Sequence, residues 1–385
     1  MSVKETDTFV LKYPETSGFD KSTIHFYSGE ADLTSIYFNQ EENSIKRLFV
    51  TDTNIAGLSC MKSFLCHFMK AEDISSIKID STYSAGNDCL LILGPGESFK
   101  TIQNVLKIVS TALDADFNRN SLFISIGGGV LCDMTGFAAS MFKRGIEVEF
   151  VPTTLLADVD AAIGGKTGCD FDSYKNMIGA FYPARALHVF SSFIENLPQK
   201  EYISGLAEAI KTAFLFSPEM TKLFKEKKEE VLKRDPVIVN RLISECAKAK
   251  ASVVYEDFKE KGRRAFLNLG HTFGHALESV AGLGSVTHGE GVAWGSARAA
   301  DLAFNLGLCT KEYADECKSI LASYGYDTKS IPSCLSADKT EELLKAMHKD
   351  KKNNSSSVRV IIQKDFQDTL IKEVSDSDIL KVLKA

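Results

Sequence analysis

Four short runs constrain the fold of this 385-residue chain more than any other feature: RLFVT (47–51), CLLILG (89–94), SLFISIG (121–127) and EVEFVPTT (147–154). Each is nearly all apolar rather than alternating, as a strand reads when both faces of its sheet are buried. Helical stretches separate the runs, and at least two runs end in glycine-rich turns that lead into helices. The alternation predicts a parallel sheet covered by helices, with a nucleotide site at the strand ends. After Asn196-Leu197-Pro198 the texture changes to long helical periodicity, with Leu206, Ile210 and Phe214 on one apolar face. The expected organisation is an α/β nucleotide-binding domain over residues 1–196 and a mostly α-helical domain over 197–385, since a chain this long divides into more than one core. The first 45 residues show no motif, and KLFKEKKEEVLKRD (222–235) reads as one charge-rich helix with a solvated face.

Composition narrows the partners. Hydrophobic residues at 44% and charged residues at 25% suit a soluble globular protein, and a net charge of −6 gives no electrostatic reason to expect nucleic acid. No run of about 18 apolar residues offers a membrane span. The opening MSVKETDTFVLKYPE lacks the apolar core of a signal peptide, so the cytoplasm is the expected location. The nine cysteines are scattered, with no CxxC, which suits reduced thiols rather than a disulfide framework or a zinc-cysteine site.

Four stretches carry chemistry. In SLFISIGGGVLCDMTGF (121–137) a buried strand meets three glycines and a helical pattern opening near Val130. Glycines let the backbone approach an anion, and the helix start offers N–H groups and a positive dipole end. The run is not GxGxxG, because Cys132 stands where the third glycine belongs. Asp52 and Asn54 after RLFVT, and Glu97 and Lys100 after CLLILG, would lie along the same sheet edge, where an acidic side chain accepts ribose hydroxyls. In VPTTLLADVDAAIGGKTGCDFDSYKNMIGAF (151–181), Asp158, Asp160, Lys166, Lys175 and Asn176 sit among glycines and small apolar residues, as in a polar pocket with apolar walls. Lys166 could reach a substrate phosphate as a point charge, Asn176 could add a donor, and Lys143-Arg144 upstream adds cationic charge. In GLAEAIKTA (205–213), Glu208 and Lys211 share one face of an otherwise apolar helix, and a buried carboxylate wants a cation or a metal. Finally, residues 248–295 hold three of the seven histidines, His271, His275 and His288. Imidazoles four apart on a helix point the same way, so this trio with Glu208 reads as a metal site. HTFGH lacks the glutamate of HExxH, which excludes the usual zinc-protease reading.

GGGVLCD, VPTTLLADVDAAIGGKTG, KNMIGAF, GLAEAIK and LNLGHTFGHALE followed by THGEG, in that order, resemble the 3-dehydroquinate synthase family of sugar phosphate cyclases over about residues 45–352. The resemblance implies a dehydroquinate synthase-like fold, an N-terminal nucleotide-binding α/β domain and a C-terminal helical domain, with NAD and a divalent metal in the cleft between them. The metal is usually zinc, with Co2+ as an alternative. Residue by residue, it implies Glu208, His271 and His288 as metal ligands, with His275 instead facing the substrate phosphate near Lys166, Asn176 and Asn268. Arg144 would be lent by the neighbouring subunit of a homodimer, Lys250 and Arg264 would grip the substrate carboxylate, and Asp160 and Lys211 would contact ring hydroxyls. Asp52, Asn54, Glu97, Lys100, Gly128, Gly129, Asp133, Thr153 and Thr154 match NAD contacts. The implied reaction converts 3-deoxy-D-arabino-heptulosonate 7-phosphate into 3-dehydroquinate and phosphate, in the shikimate route to aromatic amino acids. It proceeds by transient oxidation, phosphate elimination, re-reduction and aldol ring closure.

The chain departs from the family pattern at Tyr174, where many members have glycine, and in KDKKNNSSSVRVII (349–362), where serines replace a glycine. That tail leaves two candidates for a phosphate-binding lysine, Lys351 and Lys352. A sibling cyclase of the 2-epi-5-epi-valiolone synthase type would keep the NAD and metal sites but needs no carboxylate grip, so Lys250, Arg264 and Asn268 favour the acid substrate. A metal-dependent polyol dehydrogenase would share the glycine turn but has no use for so many phosphate-site cations.

Overall fold

The computed structural model describes residues 4–38, 45–172, 174–282, 284–349 and 357–384. Lys351 and Lys352 lie outside them. The chain divides into two compact units, Met1–Leu197 and Pro198–Ala385.

The first unit is built on one sheet of eight strands: β1 (Lys4–Lys12), β2 (Lys21–Ser28), β3 (Arg47–Asp52), β4 (Ser81–Ala85), β5 (Asp88–Leu93), β6 (Leu122–Gly127), β7 (Glu147–Pro152) and, after the hairpin β8 (Lys166–Phe171) and β9 (Tyr174–Phe181), β10 (Ala186–Phe190). Their order is β1-β2-β10-β7-β6-β3-β5-β4. The pairings from β2 through to β5 are parallel, and only the two edge pairings are antiparallel. Every residue of β3, β5 and β6 is buried, which is why these strands are nearly all apolar. The motif-free N-terminus forms β1 and β2, and β1 is an exposed edge strand carrying Lys4, Glu5, Asp7 and Lys12. Such charges discourage pairing with another chain.

From β3 the chain moves outward to β5, then returns so that β6, β7 and β10 lie on the other side of β3. The strand order therefore reverses between β3 and β6. In an open α/β sheet a ligand binds outside the carboxyl ends of the strands at such a reversal. Asp52 ends β3, and Gly127 ends β6.

Among its described residues the second unit is helical except for one hairpin, β11 (Val358–Asp365) with β12 (Asp368–Val374), which the sequence reading did not anticipate. Val358, Val360 and Ile362 of that hairpin pack into a core with Leu215, Phe273, Trp294 and Leu302. The segment 222–235 is not one helix. It divides into helices Pro218–Glu226 and Lys228–Leu232 at Lys227, whose φ of −116° and ψ of 28° leave the helical region. Only Leu223, Phe224 and Val231 of that segment are buried, so little apolar burial holds a continuous helix together. Among the described residues, no helix is long and apolar enough to cross a membrane.

Candidate active site

In the first unit, the loops after β3, β5, β6 and β7 gather most of the residues matched to cofactor contacts. Asp52 caps the short helix Thr53–Ala56, its Oδ1 accepting from the N–H groups of Asn54 (2.8 Å) and Ile55 (3.0 Å). Burial raises its pKa, against the pull of those two hydrogen bonds. Gly128 is the N-cap of the helix Gly129–Met141, with no side chain capping the first turn. None of the three glycines has a positive φ, so their role is closeness rather than an unusual turn. A Cβ on Gly128 would lie 3.0 Å from Thr154 Cγ2, and one on Gly129 would lie 2.9 Å from the Cβ of Ala161. The Thr153 N–H donates to the Gly127 carbonyl (3.1 Å), tying the ends of β6 and β7 together. Its buried Oγ1 has no hydrogen-bond partner among the described residues.

Lys100, buried, donates to Asp133 Oδ2 (2.6 Å) and to Asn176 Oδ1. Burial disfavours its charge, but Asp133, Glu97 and Asp170 outweigh this and raise its pKa. The Asn176 backbone, at a φ of +51°, is held by an N–H bond to Asp170 Oδ1 (2.7 Å). Lys175 lies 4.0 Å from Glu97. Asn176, expected beside a phosphate, thus meets Lys100, which pairs with Asp133, both expected beside the cofactor. Lys166 and Arg144 are exposed, Asp160 is half-buried, and Asp158 beside it is buried with both oxygens lacking hydrogen-bond partners among the described residues. Desolvation holds Asp158 well above the usual carboxylate range.

The second unit brings Glu208, His271 and His288 together, with one ligand atom from each lying within 4.8 Å of the others. Three helices supply them: Gln199–Phe216, His271–Ala281 and His288–Asn305. Glycines let these helices close on each other. A Cβ on Gly289 would run into the Ser204 carbonyl oxygen, and one on Gly274 would lie 2.7 Å from the Gly291 carbonyl carbon. Gly270, at a φ of +79°, starts the second helix where a Cβ would meet Val292 O at 2.5 Å. Thr287 and Glu290 form a capping box, which makes His288 the first residue of the third helix.

Glu208 is fully buried. Its Oε1 lies 3.2 Å from His288 Nε2 and 3.5 Å from His271 Nε2, while Lys211 Nζ pairs with Oε2 and donates to the Leu267 carbonyl (2.7 Å). Burial would raise the carboxyl's pKa, but Lys211 and the two imidazoles hold it well below the usual range. Burial, with Lys211 nearby, keeps His271 well below its usual value and neutral. Burial acts against the charge of His288 too, yet Glu208 and Glu278 push it up to about 10. The Nδ1 atoms face acceptors: His288 Nδ1 lies 3.0 Å from Glu278 Oε1, and His271 Nδ1 lies 3.2 Å from the Leu269 carbonyl.

His275 is close but outside this convergence, exposed, with its ring 5.3 Å from that of His271 and 6.1 Å from that of His288. Asn268 does not share the helix of the two histidines. It ends the 3-10 turn Arg263–Asn268, separated from His271 by Leu269 and Gly270, and its Nδ2 donates to Glu260 and to Ala265 O. Lys250 and Arg264 are both buried, and Arg264 donates to Phe258 O. The residue that the sequence reading missed is Glu278. A signal was available, because it lies seven residues after His271, two helical turns along the same face.

The 3-dehydroquinate synthase N-terminal profile matches residues 90–204 and the C-terminal profile residues 205–353. A 3-dehydroquinate synthase of Francisella tularensis subsp. holarctica is 36% identical over 338 residues, covering 87% of this chain and 89% of that protein. One from Pseudoalteromonas translucida is 36% identical over 77% of this chain and 83% of its own length. Among solved structures, 2-deoxy-scyllo-inosose synthase complexed with carbaglucose-6-phosphate, NAD+ and Co2+ aligns at a TM-score of 0.80 and 23% identity, over 98% of this chain and 99% of its own. The 2-epi-5-epi-valiolone synthase of Streptomyces hygroscopicus, with NAD+ and Zn2+ bound, aligns at 0.75 and 22%, over 93% and 95%. These two share the fold, whereas the sequence relatives carry the activity: the chain belongs to the 3-dehydroquinate synthase family.

Proposed function

We propose that this enzyme converts 3-deoxy-D-arabino-heptulosonate 7-phosphate into 3-dehydroquinate and phosphate with NAD on the strand ends of the first unit and a divalent cation, Zn2+ or Co2+, on Glu208, His271 and His288. The observation that carries the metal assignment is the convergence of two imidazole Nε2 atoms on the Oε1 of a fully buried glutamate. One carboxylate oxygen and two imidazole nitrogens make a donor set suited to zinc, and three protein ligands leave open positions, as a catalytic site requires. For NAD, the support is the reversal of strand order at β3 and β6, the close approach allowed by Gly128 and Gly129, and the unpartnered hydroxyl of Thr153. Structural relatives binding NAD+ with Co2+ or Zn2+ point the same way. When bound, the cation supplies a Lewis acid and NAD a hydride acceptor and donor.

The chain's own groups do the rest. Lys211 neutralises the far oxygen of Glu208 and is anchored by the Leu267 carbonyl, so it holds that carboxylate in place; Lys211 and, in the first unit, Asp160 are each assigned to the ring hydroxyls of the sugar. Lys250 and Arg264 are buried cations, and Arg264 is held through Phe258 O, which suits them to fixing the substrate carboxylate. In this reading Lys166, Lys175 and Asn176 of the first unit, and Asn268, His275 and one of Lys351 or Lys352 of the second, are each assigned to the departing phosphate. Lys166 and His275 are exposed, which suits them to a solvated anion. Arg144, also exposed, completes the site of the neighbouring protomer in a homodimer. Asp52, Asn54, Glu97, Lys100, Asp133 and Thr154 line the NAD side.

The test is to give metal-loaded protein and NAD the heptulosonate phosphate and, separately, sedoheptulose 7-phosphate, while following phosphate release and NADH. Phosphate from the first substrate without net NADH is expected. Phosphate from the second alone would overturn the reading. Equal mixing of Arg144→Ala and His271→Ala chains should restore part of the activity if the dimer is shared in this way.

A further inference from the structure

In the cluster around Glu208, the carboxylate of Glu278 lies behind the His288 ring, 3.0 Å from its Nδ1. We infer that Glu278 is a positioning residue for the metal centre: it accepts the Nδ1–H of His288, fixes that ring's tautomer and orientation, and so aims Nε2 at the point shared with Glu208 and His271. The inference rests on the reading of those three residues as the cation's ligands.

The two nitrogens of His288 face two carboxylates, Glu278 Oε1 at 3.0 Å from Nδ1 and Glu208 Oε1 at 3.2 Å from Nε2. A neutral imidazole has one N–H and one lone pair, and an ionised carboxylate only accepts. With Glu278 taking the N–H at Nδ1, the proton that His288 gives up to become neutral leaves from Nε2, and the lone pair is left there. His271 has the same arrangement in a weaker form, since its Nδ1 faces the Leu269 carbonyl at 3.2 Å. The stronger acceptor serves the ring that needs it more, because the His288 side chain is 31% exposed against 13% for His271. A carboxylate also makes the imidazole a better donor to a cation than a carbonyl does.

Two features show that Glu278 is built into this position. It lies on the His271 helix but bonds to the first residue of the neighbouring one, across a seam of glycines. A Cβ on Gly291 would lie 3.3 Å from Glu278 Oε1, so a larger residue there would crowd the carboxylate away from His288. Glu278 is also 92% removed from solvent, 8% exposed, a costly place for a carboxylate without a purpose for its charge.

Glu278→Gln keeps shape and one acceptor but loses the charge, and Glu278→Ala loses both. Zinc affinity of the full-length protein, measured by competition with a chelator, should fall about 10–100-fold in the first variant and at least as far in the second. The visible absorption of the Co2+-loaded variants should change in intensity or position. His288→Ala is the reference and should bind no zinc at the same concentrations. Parent-like zinc affinity and Co2+ spectrum in both Glu278 variants would overturn the inference, including when their apo forms unfold at lower temperature, which would leave Glu278 a packing residue. Parent-like zinc affinity in His288→Ala would instead overturn the ligand reading itself. If Glu278→Ala does not fold, Glu278→Gln and Glu278→Asp decide the question by the same two measurements.

Discussion

Each unit buries a glutamate beside histidine, and the two clusters differ in what the carboxylate has left to offer. In the first unit Glu149 Oε1 accepts from Arg185 Nε (2.7 Å), and Oε2 accepts from the Tyr37 hydroxyl (3.2 Å) and lies 3.4 Å from His188 Nε2. His188 Nδ1 lies 3.0 Å from the buried Tyr27 hydroxyl, and its ring stacks on His25 at 5.1 Å with the rings 8° apart. In the second unit, two imidazoles direct Nε2 at one oxygen of Glu208, and both Nδ1 atoms are held from behind. Burial, histidine and carboxylate are common to both clusters. Only the second directs three ligand atoms, two imidazole nitrogens and one carboxylate oxygen, at one place, and that is what a cation requires. The first is a saturated hydrogen-bond network that holds β2, β7 and β10 in register.

The sharpest way to break this comparison is the same substitution at both glutamates. Glu208→Gln should abolish metal binding and turnover while the protein remains folded, as checked by metal analysis and phosphate release. Glu149→Gln should leave metal content and turnover at parent levels. If Glu149→Gln loses metal, the distinction between convergent and saturated clusters fails.

Within the second cluster, His271→Ala should lose metal and all turnover, whereas His275→Ala should keep its metal and lose turnover by about 100-fold, the scale of a single general-acid or charge-stabilising group. Equal metal loss in both would erase the line drawn between the convergent rings and their neighbour. A smaller effect is expected from Gly289→Ala, whose Cβ would press on the Ser204 carbonyl. Separating two packed helices should cost about 1–3 kcal/mol in urea unfolding and weaken zinc binding together with it.

In the first cluster, Glu149→Gln should destabilise the protein by about 2–3 kcal/mol, because it leaves Arg185 and His188 facing an uncharged amide. The pH dependence follows from the same group. Burial would raise the Glu149 pKa, but His188 and Arg185 lower it to about 2. A depressed carboxyl stabilises the fold above its unfolded value near 4.5 and stops doing so as pH falls towards 2. Acid unfolding curves should therefore be steeper for the parent than for Glu149→Gln over that window, and parallel curves would exclude the effect.

The strands, the glycine turn after β6 and the helical character of the second half were legible because each rests on local pattern: buried runs for a two-faced sheet, and apolar spacing for helices. The hairpin Val358–Val374 and the break at Lys227 were not, since one lies beyond a serine-rich stretch and the other in a run whose charges look equally helical throughout. At the site, the charges and imidazoles were legible as a set. Which of them meet was less so, as Asn268 and Asn176 illustrate: Asn268 sits on a separate turn from the histidine helix, and Asn176, itself in the left-handed region, accepts from Lys100.

The sequence by itself determined the α/β and helical halves, the ordered motifs of the family and the chemical types gathered at the site, because these depend on residue identity and short spacing. Spacing also offered His271 and His275 as an obvious pair, four apart on one helix. The tertiary structure decided otherwise. Glu208 stands 80 residues before His288 in the chain, and only the close packing of three helices across Gly274, Gly289 and Gly291 brings both to His271. Convergence of lone pairs is a property of packed helices in space, and no spacing along one helix encodes it.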